Sequence, residues 1–322
     1  MSTYQLHKGE AVLADLKDGL LALGIPLGMN SRLIFFDPTN GSDGNDGSEP
    51  SMAVKSIETA YALATDNNND TILMIAGATA SNPTAAIAWA KSYTHLVGLS
   101  APLPGLGQRC RIVGTAALDL AQVITISGNG CVFMNLQFFN GSDANAAKGA
   151  VVVSGSRNYF KNVFFAGMGH ATCAGHASAY SLTVSGAENY FEDCTIGLDT
   201  ILRSAANSEL IISAERNRFV HCELRSYCET AGKFLVKIDN STADLRDTIF
   251  EDCLFFNYTV NWANGIDNAF DMPAAGNTHF VILKGDNVLV GVNSGWADTV
   301  THVYSAAHAP NAGFGIATNP TT

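Results

Sequence analysis

The amino-acid sequence predicts an all-β fold, a single-stranded solenoid in which the chain winds into the stacked coils of a parallel β-helix. The first observation behind this prediction is a phrase that repeats along the chain: an aliphatic residue, a small turn, an asparagine and, two residues later, an aromatic residue. The aromatics recur every 27 to 31 residues, a period typical of one supersecondary unit per coil. They are Phe133, Phe160, Phe191, Phe219 and Phe250.

Two further observations give the type of coil. Apolar residues within each phrase stand two positions apart, as Val151 and Val153 do, which is the period of a β-strand. Turn-forming residues interrupt the chain every few positions and leave no space for helices between the strands. We therefore expect equivalent residues to stack, with the five phenylalanines in one interior row. A second interior row and a ladder of turn asparagines are expected beside it: Leu136, Val163, Cys194, Cys222 and Cys253, and Asn158, Asn189 and Asn217.

Composition and charge favour one elongated domain and disfavour some partners. A solenoid grows in one dimension, so the 322 residues fit one domain. Only 15% of the residues are charged, against about 25% in an average globular protein, which suits a surface packed against neighbours. The formal net charge of −11 disfavours nucleic acid and anionic membranes, which require a basic footprint. We find no apolar run of membrane-spanning length and expect no secretory signal at the N-terminus.

The seven cysteines are predicted to be reduced thiols, because their number is odd and no export signal is recognised. Three of them belong to the second interior row, where cysteine acts as a small hydrophobic residue. Residues stacked in adjacent coils lie about 4.8 Å apart, so a disulfide between vertical neighbours is the alternative. Buried free thiols are the expected state.

Two amphipathic segments precede the repeats. Residues 8–23 have a helical apolar stripe that includes Leu16 and Leu20, within a predicted N-terminal helical arm of residues 1–30. This helix either caps the open end of the solenoid or docks as an arm on another subunit. A second helix near residues 54–65 places Ile57 and Ala60 on one stripe and is the other candidate for the cap.

The residues around this second helix carry a resemblance. Residues 37–47 read DPTNGSDGNDG, residues 57–60 read IETA and residues 70–72 read DTI. Over residues 34–80 this order resembles the start of many right-handed β-helix proteins of the pectate-lyase-like superfamily, in which the short helix plugs the N-terminal end. The resemblance implies a right-handed β-helix, placed here at residues 31–300. It does not imply one function, because the superfamily holds lyases, hydrolases, phage tailspikes and non-enzymatic virion proteins.

The acidic loop in that motif has two interpretations. Asp37, Asp43 and Asp46, with Asn40 and Asn45 between them, supply oxygen ligands of the kind that calcium prefers. Their spacing does not match the full EF-hand loop, and Asn-Gly and Asp-Gly are common tight-turn dipeptides. The aspartates are calcium candidates, and a turn-rich loop without a metal is the expected structure.

A second set of candidate residues would serve catalysis. Glu192, Asp193, His221, Glu251 and Asp252 occupy nearly the same place in consecutive coils and form an acidic stripe around a histidine. A polysaccharide lyase needs carboxylates for calcium and a basic residue, and a glycoside hydrolase needs two or three carboxylates. These positions alternate with interior residues, however, and outward strand positions are polar by default. We therefore assign no catalytic residue and retain the five as the set that an enzyme would use.

A third cluster contains metal-binding residue types. His170, Cys173 and His176 lie three positions apart, as zinc ligands do, but no fourth ligand accompanies them. An ordinary loop is expected here. The sequence contains no nucleophile elbow, phosphate-binding loop or dinucleotide fingerprint, and we expect no cofactor.

These observations favour a structural protein over an enzyme. The longer loops follow the same strand of each coil and emerge on one side, and residues 301–322 read as an extended tail or as disorder. The chain resembles β-helix virion proteins of tailed bacteriophages, which implies a capsid decoration or appendage protein located in the virion. Expected partners are the capsid shell, other copies of the chain in a homo-oligomer such as a trimer, and surface glycans. The alternative is a carbohydrate-active β-helix, a tailspike-like depolymerase or a polysaccharide lyase.

Overall fold

The computed structural model describes residues 16–229, 233–239, 246–259, 265–273, 279–297 and 302–305. The strands pair in parallel in two sheets, which confirms the predicted parallel β-solenoid. Each complete coil runs through a strand of the smaller sheet, turns into a first strand of the larger sheet, bends, and continues as a second strand of that sheet. We call the two strands of the larger sheet the first leg and the second leg.

The strand bounds follow this order. The first-leg strands are Leu33–Phe36, Asp70–Ile75, Thr94–Leu99, Val132–Asn140, Tyr159–Ala166, Tyr190–Glu192, Asn217–Val220, Asp247–Glu251, Phe280–Lys284 and Val303–Ser305. Val132–Asn140 and Tyr159–Ala166 continue through the bend, and the other second-leg strands are Arg111–Gly114, Thr195–Ile196, Glu223–Cys228, Leu254–Tyr258 and Val288–Val290, with Leu202–Arg203 paired beside Glu223–Cys228. The smaller sheet contains Ile87–Trp89, Gln122–Ile126, Gly149–Val153, Leu182–Val184, Leu210–Ile212, Phe234–Ile238, Ile266–Asp271 and Val292–Ala297.

The predicted phenylalanine row stacks inside the column. Phe160 pairs in register with Phe191, and Phe191 with Phe219. Their rings are nearly parallel, with centroids 4.6 Å apart in both pairs, and all are fully buried. Phe133 and Phe250 extend the row at 5.2 Å and 4.8 Å. The prediction of like-on-like stacking is confirmed, and the row supplies a continuous apolar core.

The second interior row also forms. Cys194, Cys222 and Cys253 are buried in consecutive coils, and their thiols are free. The Cys222 thiol donates to the main-chain oxygen of Phe191 at 3.5 Å, and the Cys253 thiol donates to that of Phe219 at the same distance. Burial raises the pKa of Cys222 well above its usual value. These stacked cysteines are therefore packing residues that tie each coil to the preceding one.

The asparagine ladder lies in the turn between the smaller sheet and the first leg. The Asn189 side-chain oxygen accepts the main-chain N–H of Asn158 at 2.9 Å, and that of Asn217 accepts the N–H of Asn189 at 2.9 Å. The Asn189 amide nitrogen also donates to the main-chain oxygen of Gly155, 3.1 Å away. Because the three side chains are buried, these bonds satisfy polar groups that the turn would leave unpaired.

The bend between the two legs is a single residue in the left-handed conformation. Its φ values lie between 51° and 55° in five consecutive coils, at Asn135, Asn162, Asp193, His221 and Asp252. Asparagine and aspartate tolerate this conformation better than most residues, which accounts for their frequency here. The bend directs the side chains of this row outward, at the edge of the first leg.

A short helix, α1 (Ile57–Leu63), contributes to the first end of the core. The Ser56 hydroxyl caps it by accepting the N–H of Thr59 at 3.2 Å. Ile57 and Ala60 belong to the main core cluster, and the Tyr61 ring lies 4.6 Å from that of Trp89 in the first strand of the smaller sheet. The helix is shorter than the predicted 54–65, since the chain is already extended at residue 64.

Residues 16–27, which we call the cover segment, lie on the outward side of the first leg. Residues 16–22 are helical, and Leu20 and Ile25 are buried in a cluster separate from the column core. The cluster includes outward residues of four successive first-leg strands: Leu33, Phe35, Leu73, Val97, Val132 and Met134. Of the predicted arm, residues 1–15 lie outside the described part, and the described remainder packs against its own chain.

The far end of the chain differs in detail from the predicted tail. Val303–Ser305 pair with Phe280–Lys284 and add a strand to the larger sheet, whereas residues 306–322 lie outside the described residues. Among the described residues, no helix is both long and apolar enough to cross a membrane.

Candidate functional site

The outward face of the first leg has a different composition in the coils that the cover segment does not cover. From Tyr159 to Lys284 it carries aromatic, charged and aliphatic side chains in two files along the column axis, and we call this surface the ladder face. One file is Tyr159, Tyr190, Arg218, Ile249 and Ile282, and the other is Lys161, Glu192, Val220, Glu251 and Lys284. Four of the five candidate catalytic residues are acidic, and two of these lie in the second file.

Glu192 is held from the preceding coil. Its carboxylate accepts a hydrogen bond from the Tyr159 hydroxyl at 2.5 Å and another from the Lys161 ammonium at 2.6 Å. Burial raises the pKa of Glu192, but the bonds from Lys161 and Tyr159 outweigh burial and leave the pKa below its usual value. Burial and the same carboxylate raise the pKa of the Tyr159 phenol.

Glu251 is held from both sides. Its carboxylate accepts from Lys284 in the following coil at 2.6 Å and from the Arg218 guanidinium in the preceding coil. These two bonds hold the pKa of Glu251 below its usual value. The Arg218 guanidinium also lies 5.8 Å from the centre of the Tyr190 ring.

The remaining candidates belong to the bend row at the edge of this face. The Nδ1 atom of His221 lies 3.7 Å from an Asp193 carboxylate oxygen, and its Nε2 atom lies 3.8 Å from one of Asp252. The imidazole is 57% exposed, so solvent reaches all three groups. The structure therefore brings the five predicted residues into one neighbourhood, with the histidine between two aspartates.

Within this neighbourhood the two glutamates are fixed by bonds to cations. A general acid needs a pKa raised towards the working pH, whereas Glu192 and Glu251 have lowered pKa values and are engaged by cations. The two glutamates are suited to connecting coils through ion pairs and to accepting hydrogen bonds from a ligand.

The calcium candidates do not converge. Asp37 accepts the N–H groups of Thr39 and Asn40, and Asp46 accepts from Ser48. Asp43 accepts the N–H groups of residues 55 and 56 at the start of α1. Asp37 and Asp46 thus close local turns, and Asp43 ties the loop to the start of α1. Among the described residues, no group of three histidine, cysteine, aspartate or glutamate side chains could hold a metal ion.

The zinc candidates are each engaged in local contacts. His170 precedes the one-turn helix α2 (Ala171–Ala174), and its Nδ1 atom accepts the N–H of Thr172 at 3.2 Å. His176 accepts the N–H of Ser178 in the same way. Cys173 is buried, and burial raises the pKa of its thiol to about 11. The two histidines shape the loop, and the cysteine belongs to its small core.

A buried polar network escaped the sequence analysis. Arg203 and Glu209 are each 1% exposed and lie 3.7 Å apart, and Ser181 donates to Glu209 at 2.6 Å. Burial raises the pKa of Glu209 to about 7, although Arg203 opposes that shift. Asn207 accepts from Arg203 and donates to the main-chain oxygens of residues 174 and 176. The network fastens the loops that follow the second leg, and no local sequence pattern marks it.

Comparisons with known proteins agree with this architecture. No protein-family model matches the chain, and no curated protein sequence matches it. Among solved structures, pectate lyase Pel9A is 16% identical with a TM-score of 0.51, covering 90% of this chain and 83% of the lyase. A pectin methylesterase in complex with hexasaccharide VII is 16% identical with a TM-score of 0.50, covering 91% of this chain and 94% of the esterase.

A third structure, ORF18 of Geobacillus virus E2, is 11% identical with a TM-score of 0.43, covering 91% of this chain and 64% of the viral one. That TM-score is too low to support an inference. The likeness to the lyase and the esterase shows the fold alone, because fewer than a quarter of the residues are identical. It agrees with the resemblance to pectate-lyase-like β-helices.

Proposed function

We propose that the chain is a non-enzymatic structural protein of a tailed-bacteriophage virion, a capsid decoration or appendage protein. It attaches through its termini and one face of the β-helix to the capsid shell. The observation that carries the non-enzymatic part is the state of the ladder face, where Glu192 and Glu251 are ion-paired between coils and have lowered pKa values. The virion location follows the resemblance to β-helix virion proteins.

A stacked column suits such a role because its shape is fixed at three levels. The phenylalanine row fills the interior, the asparagine ladder joins the turns, and the ion pairs join the outer surface. Neighbouring coils therefore hold one another in position, and the column presents an extended, preformed side to a partner. A preformed surface loses little conformational entropy when it binds.

The proposal is tested on virus particles from the organism that carries the gene. Particles purified through a density gradient are probed with antibody raised against the purified chain, by blotting and by immunogold electron microscopy. We expect the chain in intact particles, at a fixed ratio to the major capsid protein and with label on the particle surface. Its presence only in the particle-free lysate would refute the virion assignment.

A carbohydrate-active enzyme is the second candidate, and the bend row favours it. His221 lies between Asp193 and Asp252 on an exposed edge, a grouping that could move protons. The purified chain is assayed on polygalacturonate and methylated pectin for new reducing ends, unsaturated products and released methanol. The structural proposal predicts no turnover. Turnover that disappears in Asp193→Asn or Asp252→Asn, with an unchanged melting temperature, would establish the enzyme instead.

A further inference from the structure

The ladder face is rich in aromatic and charged residues, although the equivalent outward positions of the first four coils show that the fold also accommodates apolar residues there. Outward residues of the first four first-leg strands are mostly apolar and buried, with Thr71 and His95 as buried polar exceptions, and Tyr159 packs against the edge of the apolar cluster beneath the cover segment. From Tyr159 onward, seven of the ten positions in the same two files are aromatic or charged, and the other three are Val220, Ile249 and Ile282. The exposed fractions of Lys161 and Arg218 are 37%, and that of Lys284 is 56%. A surface that binds an apolar protein segment would be mainly aliphatic, whereas aromatic and charged residues predominate on this one.

Aromatic and cationic groups on this face are arranged side by side. The Tyr159 and Tyr190 rings have centroids 5.8 Å apart, and the Arg218 guanidinium lies next in the same file. Both rings are half-buried, so part of each remains open to a ligand. Phenol rings offer an apolar surface with a polar edge, which suits ligands with both C–H faces and hydroxyl groups.

The polar groups of the face are held in place before any ligand arrives. Tyr159 and Lys161 both bond Glu192, and Arg218 and Lys284 both bond Glu251. Binding to groups already fixed by neighbours avoids much of the entropy cost of ordering long side chains. The carboxylates retain lone pairs that can accept hydrogen bonds from hydroxyl groups.

The charge of the face selects the class of ligand. Its three cations nearly balance four carboxylates: Lys161, Arg218 and Lys284 against Glu192, Asp193, Glu251 and Asp252. A polyanion finds no net positive potential there, in a chain whose formal charge is −11. The matching ligand is uncharged and rich in hydroxyl groups.

Each file of the ladder face runs along the column axis. Equivalent residues recur once per coil, so the distance from Lys161 to Lys284 along the axis is four coil steps, roughly 19 Å at about 4.8 Å per step. A repeating surface of this length fits a chain ligand better than a compact one. We propose that the ladder face binds a neutral saccharide chain, whose sugar rings pack on Tyr190 and whose hydroxyl groups bond the fixed ion pairs.

The test is direct binding by the purified chain. Neutral hexasaccharides of glucose, mannose, galactose and N-acetylglucosamine are titrated by calorimetry, with hexagalacturonate as the charged comparison and a glycan array as the wider screen. We compare the wild type with Tyr190→Ala and Glu192→Gln. Tyr258→Ala is the matched control, since Tyr258 is 44% exposed on the second leg, and its ring lies 5.1 Å from that of Tyr227.

At least one neutral oligosaccharide should bind the wild type. Tyr190→Ala should weaken its affinity at least tenfold, and Tyr258→Ala should leave the affinity unchanged. Circular-dichroism melting shows whether each variant is folded, and Glu192→Gln, which keeps the side-chain shape, should also weaken binding. The proposal fails if no neutral saccharide binds, if hexagalacturonate binds more tightly, or if the control loses as much affinity as Tyr190→Ala. Light scattering that shows a dimer abolished by Tyr190→Ala, without saccharide binding, would make the face a contact between copies instead.

Discussion

The first four coils and the following five share one interior but differ on the outward face of the same strands. Inside, Phe133 of the first group stacks on Phe160 of the second without interruption. Outside, Val132 and Met134 are buried beneath the cover segment, whereas Tyr159 and Lys161, one coil further, begin the ladder face. The interior rows thus encode the fold, and the outward files encode what each part of the column contacts.

The two groups of coils also stabilise the outward side of the sheet in different ways. In the first group the chain covers its own sheet, which gains stability from apolar burial. In the second group each charged residue of the two files has a partner in an adjacent coil, and the pairs remain in contact with water. A surface satisfied in the second way can exchange water for a polar ligand without unfolding any part of the chain.

We call the first four coils the covered half and the following five the ladder half. The largest expected effect comes from placing a charged residue of the ladder face at the equivalent position of the covered half. Met134→Lys places an ammonium where Lys161 stands one coil later, but Met134 is 3% exposed and lies in the apolar cluster. A buried, unpaired charge should destabilise the fold by about 4 kcal/mol. Urea unfolding measures the change. A Met134→Lys variant as stable as the wild type would show that the cover segment does not exclude water from this face.

A second effect is specific to the covered half and depends on pH. His95 is fully buried there, its Nδ1 atom accepts the main-chain N–H of Val132 at 3.0 Å, and its Nε2 atom lies 3.3 Å from the Asn69 side-chain oxygen. Burial, partly opposed by Asp70, lowers the pKa of His95 from 6.5 to about 4. Protonation of Nδ1 would place its N–H against the main-chain N–H of Val132, so the hydrogen bond would be replaced by a contact between two donors.

The sign of the pH effect follows from that shift. The unfolded chain takes up the proton near pH 6.5, so the stability conferred by the neutral imidazole is present above that pH. It is lost as pH falls from 6.5 through about 4, at a total of about 3 kcal/mol. Urea unfolding at pH 7 and pH 4.5 should show a smaller difference for His95→Gln than for the wild type. Equal differences in the two proteins would exclude His95 as the cause.

Much of the interior could be predicted because its signal is local and repeated. Phe191 and Phe219 occupy the same position in the repeated phrase, which predicts that they stack. The position of Asn189 in the phrase predicts the asparagine ladder in the same way. The ion-pair partners on the outward face were not predicted, because the repeat aligns Arg218 with Ile249 and Val220 with Glu251. The bond from Arg218 to Glu251 crosses that register diagonally, and the conformation of a long side chain is not visible in the repeat.

The position of the cover segment could not be predicted for a different reason. The apolar stripe with Leu16 and Leu20 shows that one side of the segment must be buried, but many apolar surfaces satisfy that requirement equally. The sequence pattern is compatible with the open end of the column and with another subunit, whereas residues 16–27 pack on the outward side of the first leg. The Arg203–Glu209 pair escaped prediction because a charged residue in a loop is ordinarily solvated.

The smallest expected effect comes from the reverse exchange, Lys161→Met, in the ladder half. The Lys161–Glu192 pair is partly exposed and screened by solvent, and Tyr159 remains bonded to Glu192 after the change. The loss should therefore be no more than about 1 kcal/mol. It should shrink as salt is raised from low ionic strength to about 1 M, where the screening length is roughly 3 Å.

A double-mutant cycle with Glu192→Gln isolates the contribution of the pair, because Glu192→Gln alone also alters the contact with Tyr159. A coupling energy several times larger, and insensitive to salt, would mean that the ladder half is as dry as the covered half. The contrast between the two halves would then lie in their chemistry and not in their exposure. A small, salt-sensitive coupling energy would show that the pair is in contact with water. An incoming hydroxyl group could then replace that water, which is the property that saccharide binding requires.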